Sequence, residues 1–232
     1  MRVRGLIAPV LVAATCAAAC SSSAGPTTGP TATGSPPEAT ARYRVTFQAT
    51  WSAATHPSDV PPVPHFSGLI GATHKEATRL WELGRSASEG IKNMAEEGSK
   101  TPLDLEIMAA IGAGAAEHLI SGDGIARSPG TAAVEFEVSR AHPFVTLVSM
   151  VAPSPDWFVG VSALALIEEG AWVSERVLPL RPYDAGTDSG ATFLSPNRPT
   201  EPREPIAHLL RGPLVVGSEA PPLGTFTFRR IP

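Results

Sequence analysis

Cysteine is almost absent from this sequence of 232 residues. It has two, Cys16 and Cys20, both close to its start. Beyond Cys20 there can be no disulfide, no thiol nucleophile and no thiolate metal site, so the remainder must fold on its own core, with or without a metal. Charge is also scarce: charged residues make up 17%, against a usual share of about 25%. The net charge of −4 leaves no basic footprint and excludes nucleic acid as an expected partner. Aromatic residues amount to 6%, too few for a long exposed row that would grip a sugar or lipid. Several catalytic signatures are missing as well: there is no His-Glu-x-x-His zinc motif, no Gly-x-Ser-x-Gly elbow, no phosphate-binding glycine loop and no EF-hand loop. Proline, by contrast, is plentiful. Its 24 residues are about twice the usual share, more than a helical bundle tolerates, and they favour strands joined by proline-rich loops.

The first twenty residues read as an export signal. Arg2 and Arg4 precede an apolar run from Leu6 to Ala19, interrupted by Pro9, Thr15 and Cys16 and too short to span a bilayer comfortably. The run ends in Ala17-Ala18-Ala19-Cys20, followed by three serines. Small residues before a cysteine resemble the bacterial lipobox, so Cys20 is the expected lipid-attachment residue and the mature N-terminus. Ala17 stands where that motif usually has Leu, and a plain signal peptide cut near the alanines is the alternative. Residues 21–41 are almost entirely Ser, Thr, Pro, Gly and Ala. They carry too little apolar surface to offset their ordering entropy, which predicts a disordered tether between anchor and domain.

The folded part is expected over residues 42–232. That length of roughly 190 residues suffices to bury roughly 70% of the unfolded surface. Tyr43, Val45, Phe47 and Trp51 alternate with polar residues, the pattern of a half-buried strand. Thr73-His74-Lys75-Glu76 has the form of a capping box. Ala77, Leu80, Trp81, Ala87, Ile91, Met94 and Ala95 follow at helical spacing, with Gly98 as the stop. A second helix is predicted from Thr101-Pro102, with Leu105, Met108, Ala109, Ala115 and Leu119 on its apolar side. After Gly130 the pattern is that of strands: Val134, Phe136 and Val138 alternate, Phe144–Val151 and Trp157–Leu166 are apolar on both faces, and Trp172–Leu180 and Gly224–Arg229 follow. The expected fold is therefore mainly β, an antiparallel β-sandwich, with the two helices inserted after the first strand region and lying at its edge or end.

Two segments could carry chemistry. Pro153-Ser154-Pro155-Asp156-Trp157 puts an acid at the end of a stiff loop between two buried strands. Asp184-Ala185-Gly186-Thr187-Asp188-Ser189-Gly190 puts two carboxylates four residues apart in a loop that can curl tightly. Calcium takes about six to eight oxygens, often carboxylates and backbone carbonyls of flexible loops. On spacing alone, however, an Asp in such a loop more often makes an Asx-turn or a cap than a metal bond.

Taken together and in order, about thirty residues apart, these segments resemble the two signature segments of the spondin N-terminal domain. Trp51-Ser52, His56-Pro57, His65-Phe66-Ser67, Trp81, Gly84, Ala87-Ser88-Glu89-Gly90, Trp172 and Phe226-Thr227-Phe228 also match family positions, so the resemblance spans Tyr43 to Ile231. It implies a sandwich of about eight strands, no catalytic activity, and a calcium ion held by Asp156, Asp184 and Asp188. It also implies an adhesion or interaction role at the cell surface, with a protein or glycan ligand. The sequence lacks the disulfides of the animal domains and the thrombospondin-type repeats that follow them, so the animal partners do not carry over. A monomer held to the membrane by its N-terminal lipid is expected.

The rival readings are an exported metal-dependent hydrolase and a sandwich that binds glycan or lipid. His56, His65 and His74 recur every nine residues, which does not match the closer spacing usual for zinc ligands within one element, and His56-Pro57 and His142-Pro143 read as loop structure.

Overall fold

The computed structural model describes residues 38–232. The export signal, Cys20 and most of the tether lie outside the described residues. In chain order the elements are β1 (Thr40–Ala49), β2 (His65–Phe66), β3 (Ile70–His74), α1 (Glu89–Glu97), α2 (Leu103–Gly112), β4 (Ala116–Ser121), β5 (Gly130–Ser139), β6 (Phe144–Ala152), β7 (Trp157–Ala165), β8 (Ile167–Glu168), β9 (Ala171–Trp172), β10 (Glu175–Pro179), β11 (Tyr183–Asp184), β12 (Ala207–His208) and β13 (Gly224–Ile231). Eight of these strands have five or more residues, in line with the expected sandwich of about eight.

Strands β10-β13-β1-β5 form one antiparallel sheet. A second runs β12-β11-β7-β6-β3-β4, with β2 added on β6. Alternation explains β1: Tyr43, Val45 and Phe47 are fully buried, while Arg42, Arg44 and Gln48 face water. Phe226 and Phe228 of β13 sit directly across from Phe47 and Val45. These residues meet Val145, Leu147, Val151, Trp157 and Val159 of the second sheet in the main core. On the solvent side, Arg44 lies opposite both Glu135 and Arg229, and Arg229 lies opposite Glu175, a ladder of charge across four strands.

The second sheet is buried on both faces, which is why β6 and the first half of β7 lack alternation. Its outer face carries Ile70, Ala72, Val148, Met150 and Phe158. These pack against Ile91, Met94, Ala95, Leu103 and Ile107 of the helices in a second core. The helices thus cover a sheet face and do not sit at an edge or end.

The first helix is shorter than its sequence pattern. Thr73 does not cap it: Ile70–His74 is strand β3, paired on both sides by β4 and β6. The Thr73 hydroxyl accepts instead from the His118 N–H at 3.2 Å. The actual cap is Ser88, whose Oγ accepts from the Ile91 N–H at 3.1 Å. Trp81 precedes the helix and packs edge-on against Phe158, with ring centres 5.1 Å apart. Gly98 does end the helix, at a φ of 68° that glycine adopts without strain.

In α2 the buried residues are Leu103 and Ile107, whereas Leu105 and Met108 are exposed and Leu119 belongs to β4. The helix is apolar nearly all round, so periodicity could not choose its inner face. Glu106 ties the helices together, accepting from the Gly90 N–H and the Ser88 hydroxyl, each at 2.7 Å. The expected strand Trp172–Leu180 is split into β9 and β10, which pair with different partners.

Candidate functional site

Asp156 closes the β6–β7 loop, one residue before the buried Trp157. β11 pairs with the start of β7, setting Asp184 directly opposite Trp157. The Ala185 N–H donates to the Asp156 carbonyl at 3.2 Å, so the chain after Asp184 curls over the Asp156 side chain. There the Asp156 Oδ2 accepts from the Thr187 N–H (2.8 Å), the Asp188 N–H (3.1 Å) and the Thr187 hydroxyl (3.3 Å). The sheet pairing and this three-point anchor bring the two signature segments together. Asp156, Asp184 and Asp188, the three acids that the resemblance implies as ligands, therefore lie on adjoining loops.

The three carboxylates are engaged differently. Asp184 Oδ1 accepts from the Gly186 N–H at 2.8 Å, an Asx-turn. Asp188 uses both oxygens to hold its loop: Oδ1 accepts from Gly190 N–H at 2.6 Å and Oδ2 from Arg198 N–H at 2.8 Å. Asp156 is fully buried, and among the described residues its Oδ1 has no hydrogen-bond partner. Burial, with the nearby Asp184 and then Asp188 charges, pushes its carboxyl up to about 7 despite the two N–H donors. Asp184 is also raised, by burial and then by the Glu204 and Asp188 carboxylates. Four acids therefore lie in one electrostatic neighbourhood. Among the described residues, no set of three or more His, Cys, Asp or Glu side chains stands ready-arranged around one point.

Glu204 was not singled out from the sequence. It belongs to the proline-rich run Pro199–Pro205, which has no periodicity to read. It is carried to the site by backbone pairing: Thr200 N–H donates to the Thr187 carbonyl at 2.9 Å and Glu204 N–H to the Gly186 carbonyl at 2.8 Å. A cleft of about 320 Å³ opens here, lined by Asp184, Gly186, Asp188, Thr200, Glu204 and Arg211, among others.

The three evenly spaced histidines serve the fold. His56 is buried, with Nδ1 at the Thr55 hydroxyl and Nε2 facing the Pro221 carbonyl. His74 is buried between the Lys75 carbonyl and the Thr146 hydroxyl, each 2.8 Å away. His65 Nδ1 lies 2.9 Å from the Val63 carbonyl. None of the three lines the acidic cleft.

A two-sheet antiparallel sandwich, one sheet covered by helices and carrying acid-bearing loops at its end, defines the class. The family model described as Spondin_N matches residues 41–212. Spondin-1 of Mus musculus is 42% identical over 179 residues, 73% of this chain and 22% of that protein. Spondin-2 of Homo sapiens is 36% identical over 197 residues, 83% of this chain and 58% of that protein. The chain belongs to the Spondin_N family. It spans about a fifth of the length of Spondin-1 and less than two thirds of Spondin-2. Strand β13 follows the matched region and is hydrogen-bonded to β1 along its whole length, so it completes the first sheet.

Proposed function

We propose that this chain is a non-enzymatic, calcium-binding adhesion and interaction module, exported and held to the outer side of the cell envelope by a lipid on Cys20. The observation that carries the calcium reading is the buried Asp156 Oδ1. An ionised carboxylate oxygen without a hydrogen-bond partner, beside two further carboxylates, is costly unless a proton or a cation meets it. Asp156 and Asp184 are the main side-chain ligands in this reading. Asp188, already committed to two backbone N–H groups, holds the loop and offers its remaining lone pairs. An all-oxygen set of carboxylates and loop carbonyls suits calcium rather than a softer ion. The bound ion would supply positive charge that cancels the repulsion among the acids and fixes the two loops against each other.

The chain's own residues do the rest. Thr187 and Asp188 N–H groups orient Asp156, and the Gly186 turn lets the loop close over it. The rigid rim formed this way borders the cleft where a protein or glycan ligand would dock. The family membership supports the interaction role, and the lack of any histidine in the cleft favours it over a hydrolase. A monomer that does not engage nucleic acid completes the reading.

Calorimetry of the chelator-treated protein with calcium tests it. Binding should raise the melting temperature, with stabilisation of about 2.7 kcal/mol at a hundredfold excess over Kd. Asp184→Asn should remove most of that response. A flat titration, or an unchanged calcium shift in both Asp156→Asn and Asp184→Asn, would refute the site.

A further inference from the structure

A second cluster lies at the other side of the large sheet, away from the acidic cleft. β3 and β4 pair with a register shift: His74 faces Ala116 and Thr73 faces His118, leaving Glu117 as an extra residue. Such a bulge breaks strand alternation and re-aims a side chain. Here the neighbours Glu117 and His118 reach each other, with Glu117 Oε2 and His118 Nε2 3.9 Å apart. His142, in the turn between β5 and β6, comes to the same oxygen, its Nδ1 3.4 Å from Glu117 Oε2.

The hydrogen bonding of His142 leaves this contact unresolved. Its Nε2 lies 3.3 Å from the Gly114 carbonyl, which can only accept, so Nε2 carries the proton there. In a neutral ring Nδ1 is then a bare lone pair facing a carboxylate oxygen. Both atoms are buried, and among the described residues neither has a hydrogen-bond partner. Two buried acceptors at this distance need a positive species between or upon them. A carbonyl that fixes one ring nitrogen and leaves the other as a lone pair is also the usual outer support of a metal-ligating histidine.

We propose that Glu117, His118 and His142 form a site for a divalent transition cation of the zinc class, separate from the acidic cleft. Two imidazoles and one carboxylate are a donor set that zinc accepts and calcium does not favour. Ligand atoms at zinc bonding distances in a tetrahedron are about 3.4 Å apart, close to the His142–Glu117 separation. The three donors do not yet close around one point. His118 closes the site, because its side chain is 42% exposed, against 13% for His142, and its ring can turn toward the shared oxygen. The fourth position then faces solvent. A cation there would clip β4 to the β5–β6 turn.

The test is zinc titration of the full chain, chelator-treated and in detergent, by calorimetry and thermal melting near neutral pH. The expected result is binding that His142→Ala and His118→Ala each weaken at least tenfold, that Glu117→Gln also weakens, and that excess calcium does not displace. Asp156→Asn and Asp184→Asn should leave it unchanged, so the two sites fail or stand separately. Binding elsewhere in the chain would persist in all three variants and would overturn the assignment. So would no zinc binding at all.

Discussion

Without a cation, the acidic cleft should make the protein less stable as pH rises, and Asp156 sets the size of the effect. Its folded-state carboxyl is raised from 3.8 to about 7, so between those values the folded chain holds a proton that the unfolded chain has lost. Stability therefore falls as pH rises through this window and levels off above the folded value. Each tenfold difference in proton affinity is worth about 1.4 kcal/mol, so the full effect is about 4 kcal/mol, shared within a coupled set that includes Asp184. His56 and His74 act with the opposite sign. Burial lowers both from 6.5, so their contribution is present above that value and is lost as pH falls below it. The decisive quantity is thus the difference between the native chain and Asp156→Asn, in which the histidine contribution cancels. The Asn amide oxygen can still accept from Thr187 and Asp188, and its uncharged amide group takes the place of the unpartnered oxygen. Urea unfolding followed by tryptophan fluorescence, with chelator, should show Asp156→Asn gaining on the native chain by about 4 kcal/mol between about pH 4 and about pH 8. Saturating calcium should abolish this gain. A gap that does not change with pH would show that Asp156 is not held as a buried, strained carboxyl.

Gly186→Ala should destabilise the protein by about 1–3 kcal/mol and blunt the calcium response. Its φ is 71° and an added Cβ would stand 2.2 Å from the Glu204 carbonyl, so the loop over Asp156 would have to open; denaturant melts with and without calcium check this. For the anchor, mass spectrometry of the membrane fraction should find a lipidated peptide beginning at Cys20, and an unmodified chain released to the medium would refute it.

Much of the architecture is legible in the residues themselves because it rests on local periodicity. Tyr43-x-Val45-x-Phe47 can bury one face only as a strand, and the runs Phe144–Val151 and Trp157–Leu166 require cover on both sides. Gly98 stops a helix because few other residues tolerate its backbone angle. The spacing of Asp156, Asp184 and Asp188 marked three acids on two loops, and the family pattern joined them. Tertiary structure decided what local rules leave degenerate. Thr73-x-x-Glu76 satisfies a helix cap as written, yet the cost of leaving β3 unpaired between β4 and β6 outweighs a cap worth about 1 kcal/mol. The inner face of α2 was ambiguous because apolar residues fall on nearly every side of it. The sequence also held no sign of Glu204 joining the acids, of the lone oxygen on Asp156, or of Glu117 swinging beside His118 and His142. Each depends on hydrogen bonds between segments that are not neighbours in the chain, the Glu204 N–H to the Gly186 carbonyl and the His118 N–H to the Thr73 hydroxyl among them, and no short-range pattern encodes those pairings.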